Sequence, residues 1–292
     1  MRRGPLLVLL CYVLWGVLPI YWKLIADVSA YVNLGSRAIW SFILCIIILA
    51  ALKKLNQVKR IFADRREVWR LFIAGGVLLI NWGSYIIAVN TNHIVDASLA
   101  YYLNPIISIV IGFTVFKERL TGLQWAGVIL ATVGVGISII SYGQVPWLAL
   151  VIGLSFAVYG ALKKTCHSES ISALTVEMTP YILPLLVFVT VMFAKGQAGD
   201  ASLWQLLLLP TTGIVTAVPL FFYSTGIAST DYTLAGILMY VNPTLQLLCG
   251  TLLYGEVISR AQWLTFLFVW AGLICYVVSI LLKRHTGQPA KK

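Results

Sequence analysis

The chain has 292 residues, of which 60% are hydrophobic and 11% charged, with a mean hydropathy of +0.91 and a formal net charge of +11. A soluble domain of this length cannot hide that much apolar surface, so the composition excludes a water-soluble globular protein and specifies an integral membrane protein. The positive balance calls for no nucleic acid, because it is explained by the side of the membrane on which the basic residues fall.

Crossing about 30 Å of hydrocarbon takes about 20 helical residues. Ten apolar runs of that order follow one another, at 5–25, 33–52, 69–90, 94–116, 121–142, 146–163, 173–194, 204–225, 231–254 and 260–282. The first follows Met1-Arg2-Arg3 but is too long for a signal peptide, holds Trp15, Pro19 and Trp22, and lacks a small-residue cleavage site. It reads as a mature helix ending at Lys23. Arg37 lies about one turn into the second run. The connection 53–70 is the one long loop, with Lys53, Lys54, Lys59, Arg60, Arg65, Arg66 and Arg70, and no segment is long enough for a separate soluble domain.

In the third run Asn81 is central, beside Trp82 and one turn before Tyr85, and an amide at that depth must find a partner in another helix or a ligand. The fourth run carries Asp96 near its start, then Tyr101, Tyr102 and the pair Asn104-Pro105. Proline removes a backbone donor and crowds the carbonyl four residues back, so Tyr101 is expected to lose its partner. Before the fifth run, Thr121 with Gln124 forms a capping box, with Glu118 near that helix start. Gly127 and Ala131 supply a small-residue helix contact. Tyr159 lies in the sixth run, Glu177 one turn into the seventh and Tyr223 in the eighth. The ninth holds Tyr240 and Asn242-Pro243, with Met239 in the place of Tyr101. Ser259 and Gln262, after Glu256, open the tenth.

These repetitions are systematic. A shift of 138 lays Ala97 on Ala235, Tyr102-Leu103-Asn104-Pro105 on Tyr240-Val241-Asn242-Pro243, Glu118 on Glu256, Gln124-Trp125 on Gln262-Trp263 and Gly134 on Gly272. The chain reads as a duplication, 1–143 and 144–292, of a five-helix unit within one membrane domain. Five is odd, so the second unit enters the membrane from the opposite face and the repeats are inverted, the usual build of secondary transporters with a site at the midplane. The two Asn-Pro pairs then approach a shared cavity from opposite sides. They serve either as ligands or as structural kinks that each Asn repairs.

With the N-terminus inside, the cytoplasmic face collects Arg2, Arg3, the basic residues of 53–70, Lys117, Arg119, Lys163, Lys164 and the C-terminal Lys283, Arg284, Lys291 and Lys292. The outer loops keep Lys195 and Arg260, so both termini are expected in the cytoplasm. Intramembrane charge is a functional hypothesis by default. Lys23 and Arg37 either bind an anionic group or snorkel outward; Asp96 and Glu177 are candidates for coupling. Trp15, Asn81, Tyr85, Tyr102, Asn104, Tyr159, Tyr223, Tyr240 and Asn242 complete the substrate-binding candidates, and Pro105 and Pro243 are conformational ones. Rings with polar tips suit a small amphipathic molecule.

The ten acids are scattered, the histidines are His93, His167 and His285, and the five cysteines are dispersed with no CxxC. No GxSxG, HExxH, P-loop or Asp-rich cluster occurs, so neither an enzyme, a metal centre, a cofactor nor ATP-driven transport is expected. The expected partners are a small-molecule substrate and the lipid bilayer; a homodimer is compatible with the sequence, which does not require one. A channel or facilitator, and a non-transporting structural or sensory subunit, are the alternatives to a carrier.

The opening "YVLWGVLPIYWKLI", "RAIWSFI" in the second run, and "LNPIISIVIGFTVFKERLTGLQWAGVILATVGV" with its second copy "VNPTLQLLCGTLLYGEVISRAQWLTFLFVWAGL" resemble the drug/metabolite transporter superfamily, EamA family. The pattern from Trp15 through Gly16, Pro19 and Tyr21 to Lys23, and Arg37 with Trp40, are similar to its RarD-like branch. The resemblance implies an all-α fold of ten membrane helices in two inverted five-helix repeats, working by alternating access in the bacterial inner membrane. It implies a carrier, most often an exporter of amino acids or related metabolites, with a cavity built mainly from runs one, three, four, six, eight and nine. The branch name is linked to chloramphenicol sensitivity, which adds amphenicols to the compounds of interest. Two departures matter: Gly255 stands in the second copy where Lys117 stands in the first, and Arg37 has no basic counterpart in the seventh run.

Overall fold

The computed structural model describes residues 3–91, 94–143, 145–255 and 258–285; the side chains of 89–90, 94–98 and 283–285 are not among the described parts. His93 and Glu256 therefore lie outside the described residues, as does the side chain of Asp96. Among the described residues, nine segments are long and apolar enough to cross a membrane, and 99–114 makes a shorter tenth. The architecture is all-α, and among the described residues its one extended feature is an isolated bridge between Val28 and Gly199.

Helices α1 (Arg3–Leu24) and α2 (Ala30–Ala51) follow the first two apolar runs. The loop expected at 53–70 instead contains α3 (Leu55–Ala63), and α4 (Arg65–Asn90) begins four residues before its apolar run. The physical reason is local. Asp64 Oδ1 accepts from the backbone N–H groups of Arg66 at 3.0 Å and Glu67 at 3.2 Å, which starts α4 in water before it enters the hydrocarbon. In α3, Val58 and Ile61 share one face and pack toward Leu71 and Val176 while Lys59 and Arg60 stay exposed. Hydropathy registers only the apolar part of such elements.

Next come α5 (Ile94–Thr114), α6 (Gly122–Tyr142), α7 (Trp147–Lys164) and α8 (Ser170–Ala194). The eighth run divides into α9 (Leu203–Leu208) and α10 (Thr211–Ile227) at Leu209-Pro210, since proline there cannot donate to the preceding turn. The ninth divides into α11 (Tyr232–Leu238) and α12 (Val241–Tyr254), and α13 (Arg260–His285) closes the chain. α5, by contrast, runs through Pro105 without interruption. The expectation that Met239 loses its partner is corrected here: its carbonyl accepts from the Asn242 N–H at 3.0 Å, because the turn tightens around the proline.

One part of the seam between the halves is made by α6 and α13. A Cβ on Gly127 would lie 2.6 Å from the Gly272 carbonyl oxygen, and one on Gly134 would lie 2.9 Å from that of Thr265. Only glycine lets the two backbones approach this closely. Thr265 Oγ1 also donates to the Gly134 carbonyl at 3.0 Å. Gly127 and Thr265 are partners under the shift of 138, and so are Gly134 and Gly272, so the two contacts are copies of each other with the helices exchanged. Tyr240 Oη donates to the carbonyl of its own counterpart, Tyr102, at 3.3 Å. Contacts of this kind arise at an axis relating two inverted repeats.

Both capping boxes are formed, Thr121 with Gln124 and Ser259 with Gln262. Glu118 acts at a different helix start from the one expected: its carboxylate accepts from the N–H groups of Tyr232 and Thr233, capping α11 of the other half. The physics is that of an anion at a helix N-terminus, but the helix is supplied by tertiary packing.

Candidate functional site

Seven residues into α2 is about 10 Å of helix, so Arg37 is set well below the end of its span. It does not snorkel outward. Its guanidinium carbon lies 4.3 Å from the centroid of Trp82 on α4 and 5.1 Å from that of Trp22 on α1. Nε donates to Thr216 Oγ1 on α10 at 3.3 Å. Among the described residues no carboxylate lies within ion-pair distance of it. Ring faces attract a cation through their quadrupole, by about 0.5–2 kcal/mol each when water is excluded. They leave the charge itself uncompensated.

Around this cation lie the hydroxyls of Tyr85 and Tyr101, within electrostatic reach of the guanidinium. Their rings meet edge to face at 6.2 Å. Beside Tyr101, Gln246 on α12 donates through Nε2 to Asn242 Oδ1 at 2.8 Å. Polar groups of α2, α4, α5 and α12 thus gather in one region. Tyr85 is 38% exposed. The arrangement offers a bidentate cation, aromatic walls and a row of hydrogen-bonding tips. Chemically it can hold a small molecule carrying an anionic group and an apolar body.

The other two mid-depth amides are turned elsewhere. Asn81 Nδ2 donates to the Ile152 carbonyl at 2.7 Å and to Ser155 Oγ at 3.2 Å. Asn104 Nδ2 donates to the Gly153 carbonyl at 2.8 Å, and its Oδ1 accepts from Ser108 Oγ at 3.3 Å. Both are buried, and both tie their helices to α7. Asn242 differs in sharing its amide with Gln246 of its own helix.

Trp15, Tyr159 and Tyr223 belong to a packed aromatic core with Tyr12 and Phe156. Trp15 meets Phe156 at 5.3 Å, and Tyr159 stacks on Tyr223 at 6.1 Å and 17°. Beneath them Lys163 Nζ and Glu177 Oε2 form an ion pair at 2.8 Å in which neither side chain has any exposed surface. Tyr159 Oη donates to Glu177 Oε1 at 3.3 Å. Trp82 and Glu177 both line a cavity of about 10 Å³, the room of roughly one water, between α2, α4, α8 and α10.

Lys23 is exposed at the far end of α1, with its ammonium 3.7 Å above the Tyr254 ring. Tyr102 packs edge to face on Phe266 at 5.5 Å, and Tyr240 is fully buried at the seam. Pro105 lies inside α5, where its carbonyl meets Gly236 of α11, and Pro243 lies one turn beyond the α11–α12 break. Asp96 lies outside the described side chains. Sequence reasoning passed over Gln246, Thr216, Trp22 and Lys163. Gln246 was signalled by its position one turn after Asn242; Lys163 was assigned to a basic loop, and only the packing of α8 shows that it is enclosed.

The chain has relatives among known proteins. The model of the EamA-like transporter family matches residues 2–140 and again 145–278. An uncharacterized transporter of Vibrio cholerae is 34% identical over 99% of this chain and 97% of its own length. Protein RarD of Streptomyces exfoliatus is 36% identical over 94% of this chain and 87% of its own. A crystal structure of a protein 16% identical superposes with a TM-score of 0.72 over 94% of this chain and 97% of the other, which concerns the fold alone.

Proposed function

Because the chain belongs to the EamA-like transporter family, we propose that it is a secondary carrier that exports a small amphipathic metabolite, an amino acid or related compound, across the bacterial inner membrane by alternating access. The observation that carries this reading is Arg37: a cation about 10 Å inside the span, held by Trp22, Trp82 and Thr216 with no carboxylate among the described residues to neutralise it. Such a charge is costly unless something else completes it. A carboxylate on the substrate does so.

In this account Arg37 holds the anionic group, and Trp22 and Trp82 flank the apolar body. Tyr85, Tyr101 and Gln246 hydrogen-bond its polar atoms, with Asn242 orienting Gln246. Lys23 stands at the mouth, and Glu177, paired with Lys163, is the coupling candidate. The units 1–143 and 144–292 rock against each other about Pro105 and Pro243, with the basic end and both termini in the cytoplasm. At that end Gly112 meets Thr233, Pro105 meets Gly236 and Glu118 caps α11. At the other end α12 leans on α1, where Gly16 meets Leu245.

Purified protein is screened against amino acids, amines and amphenicols by thermal stabilisation, since a ligand that binds only the folded state raises the melting point. Any hit is then tested for counterflow in proteoliposomes. A carboxylate-bearing ligand is expected to give saturable counterflow that Arg37→Lys impairs nearly as much as Arg37→Ala, because an ammonium cannot copy the bidentate fork. Equal activity of Arg37→Lys and the unaltered protein would remove Arg37 from the site. Non-saturable flux without counterflow would mean a channel. No flux of any solute, with a protein partner retained on purification, would mean a subunit.

A further inference from the structure

A second concave site lies at the basic end, apart from the cage and independent of the transport reading. Arg65, Arg66, Trp69, Arg70, Ile73 and Leu162 line an open cleft of about 730 Å³ between the start of α4 and the end of α7. The two nearest acids are already engaged. Asp64 caps the α4 N–H groups, and Glu67 accepts from the His167 and Ser168 N–H groups at 2.9 and 3.1 Å while its second oxygen takes Arg70 at 3.1 Å. Among the described residues, Arg65 and Arg66 have no ion-pair partner. Their charge is left to face the cleft.

The other wall is apolar and open. Trp69 and Ile73 are 56% and 52% exposed and stand one turn apart, below the arginines in the direction of the hydrocarbon. The apolar run of α4 begins at Trp69, four residues after Arg65, which sets the arginines at headgroup level and Ile73 at the level of the first acyl carbons. A soluble phosphate would meet only the cations. We propose that this cleft binds an anionic phospholipid, its phosphate on Arg65 and Arg66 and its acyl chains along Trp69, Ile73 and Leu162. Basic pockets at the cytoplasmic ends of membrane helices recognise lipid phosphates through this combination of charge and depth.

The test uses the full chain in a neutral detergent, titrated with short-chain phosphatidylglycerol, phosphatidylcholine of the same chain length, or inorganic phosphate, with the melting temperature as readout. Phosphatidylglycerol alone is expected to stabilise. Arg65→Gln with Arg66→Gln should raise its half-saturating concentration by about tenfold or more, and Trp69→Leu should weaken it with no change of charge. Lys59→Gln with Arg60→Gln removes the same charge from the exposed face of α3 and should leave the titration within about twofold. Equal stabilisation by phosphatidylcholine, or equal loss in the α3 variant, would reduce the effect to detergent exchange or general electrostatics and overturn the proposal. Stabilisation by inorganic phosphate alone would make the cleft an anion site rather than a lipid site.

Discussion

Asn104-Pro105 and Asn242-Pro243 are the same pair at equivalent places in two copies of one unit, yet the first lies in an unbroken helix and the second beside a break. Local chemistry cannot account for the difference, because the proline removes the same hydrogen bond in both. The neighbours do. Asn104 is clasped by α7, which also holds Asn81, receives the Tyr232 hydroxyl at Ala157 and carries Lys163 to Glu177. Asn242 spends its amide oxygen on Gln246 of its own helix. Around Pro105 the asparagine amide is bonded across to α7, while around Pro243 it turns back into its own helix, and there the chain breaks one turn earlier. In the alternating-access cycle proposed above, the two regions would exchange roles, and the clasped one would become the broken one.

The largest way to disturb this comparison is to release the clasp. Lys163→Met leaves Glu177 buried and unpaired and should cost about 3–5 kcal/mol, whereas adding Glu177→Gln to it should recover most of the loss. Thermal unfolding in detergent reads both. An unaltered melting temperature in Lys163→Met would mean that α7 is not held by this pair.

The asparagines themselves come next. Asn104→Leu strands the Gly153 carbonyl and should cost about 1–3 kcal/mol of stability while ligand affinity stays nearly unchanged. Asn242→Leu should do the opposite, leaving the melting temperature nearly as it was and weakening binding through a misplaced Gln246. If both variants lose stability alike, the two amides have one role and the asymmetry is only geometric.

The smallest effect belongs to a pair outside both regions. Lys54 and Glu169 meet at 2.8 Å with each side chain 41% exposed, and the hydrogen bond from Lys54 holds the Glu169 carboxyl below its usual value. A depressed carboxylate stabilises above its unfolded pKa of about 4.3, and that contribution fades as pH falls through the lower folded value. For an exposed pair it amounts to no more than about 1 kcal/mol. Lys54→Gln should therefore leave stability at pH 7 almost unchanged, and the small gap to the unaltered protein should close at acid pH. Cys166 behaves less simply than a loop thiol: burial pushes it up to about 11, and its Sγ donates to the Leu162 carbonyl. Impermeant-thiol mapping of sidedness is therefore better done with cysteines placed at Arg66 and Lys195, both exposed.

Much of this was legible in the sequence because it rests on composition and spacing. Ten runs, the shift of 138 and the capping boxes need no knowledge of neighbours. Arg37 was legible as a charge within a span, with snorkelling left open, while its aromatic cage was not, since Trp22 comes from another helix and Thr216 from the other half. Asn81 and Asn104 were read as cavity candidates from their depth, and they face α7 instead. Depth follows from position along a helix, but facing depends on how helices are rotated against one another. α3 and the start of α4 escaped notice because helices made of Arg, Glu and Lys carry no hydropathy signal.

The central claim is that the two Asn-Pro regions exchange roles as the carrier turns. On a background lacking Cys166 and Cys275, spin labels at Thr91 and Leu253 report the separation at the far end of the bundle, and labels at Thr114 and Asp231 report it at the basic end. Adding a ligand that stabilises the protein should populate a second distance in each pair, one end shortening as the other lengthens. If a ligand demonstrably binds and both distributions stay unchanged, or both shorten together, the halves do not rock and alternating access about these prolines is contradicted.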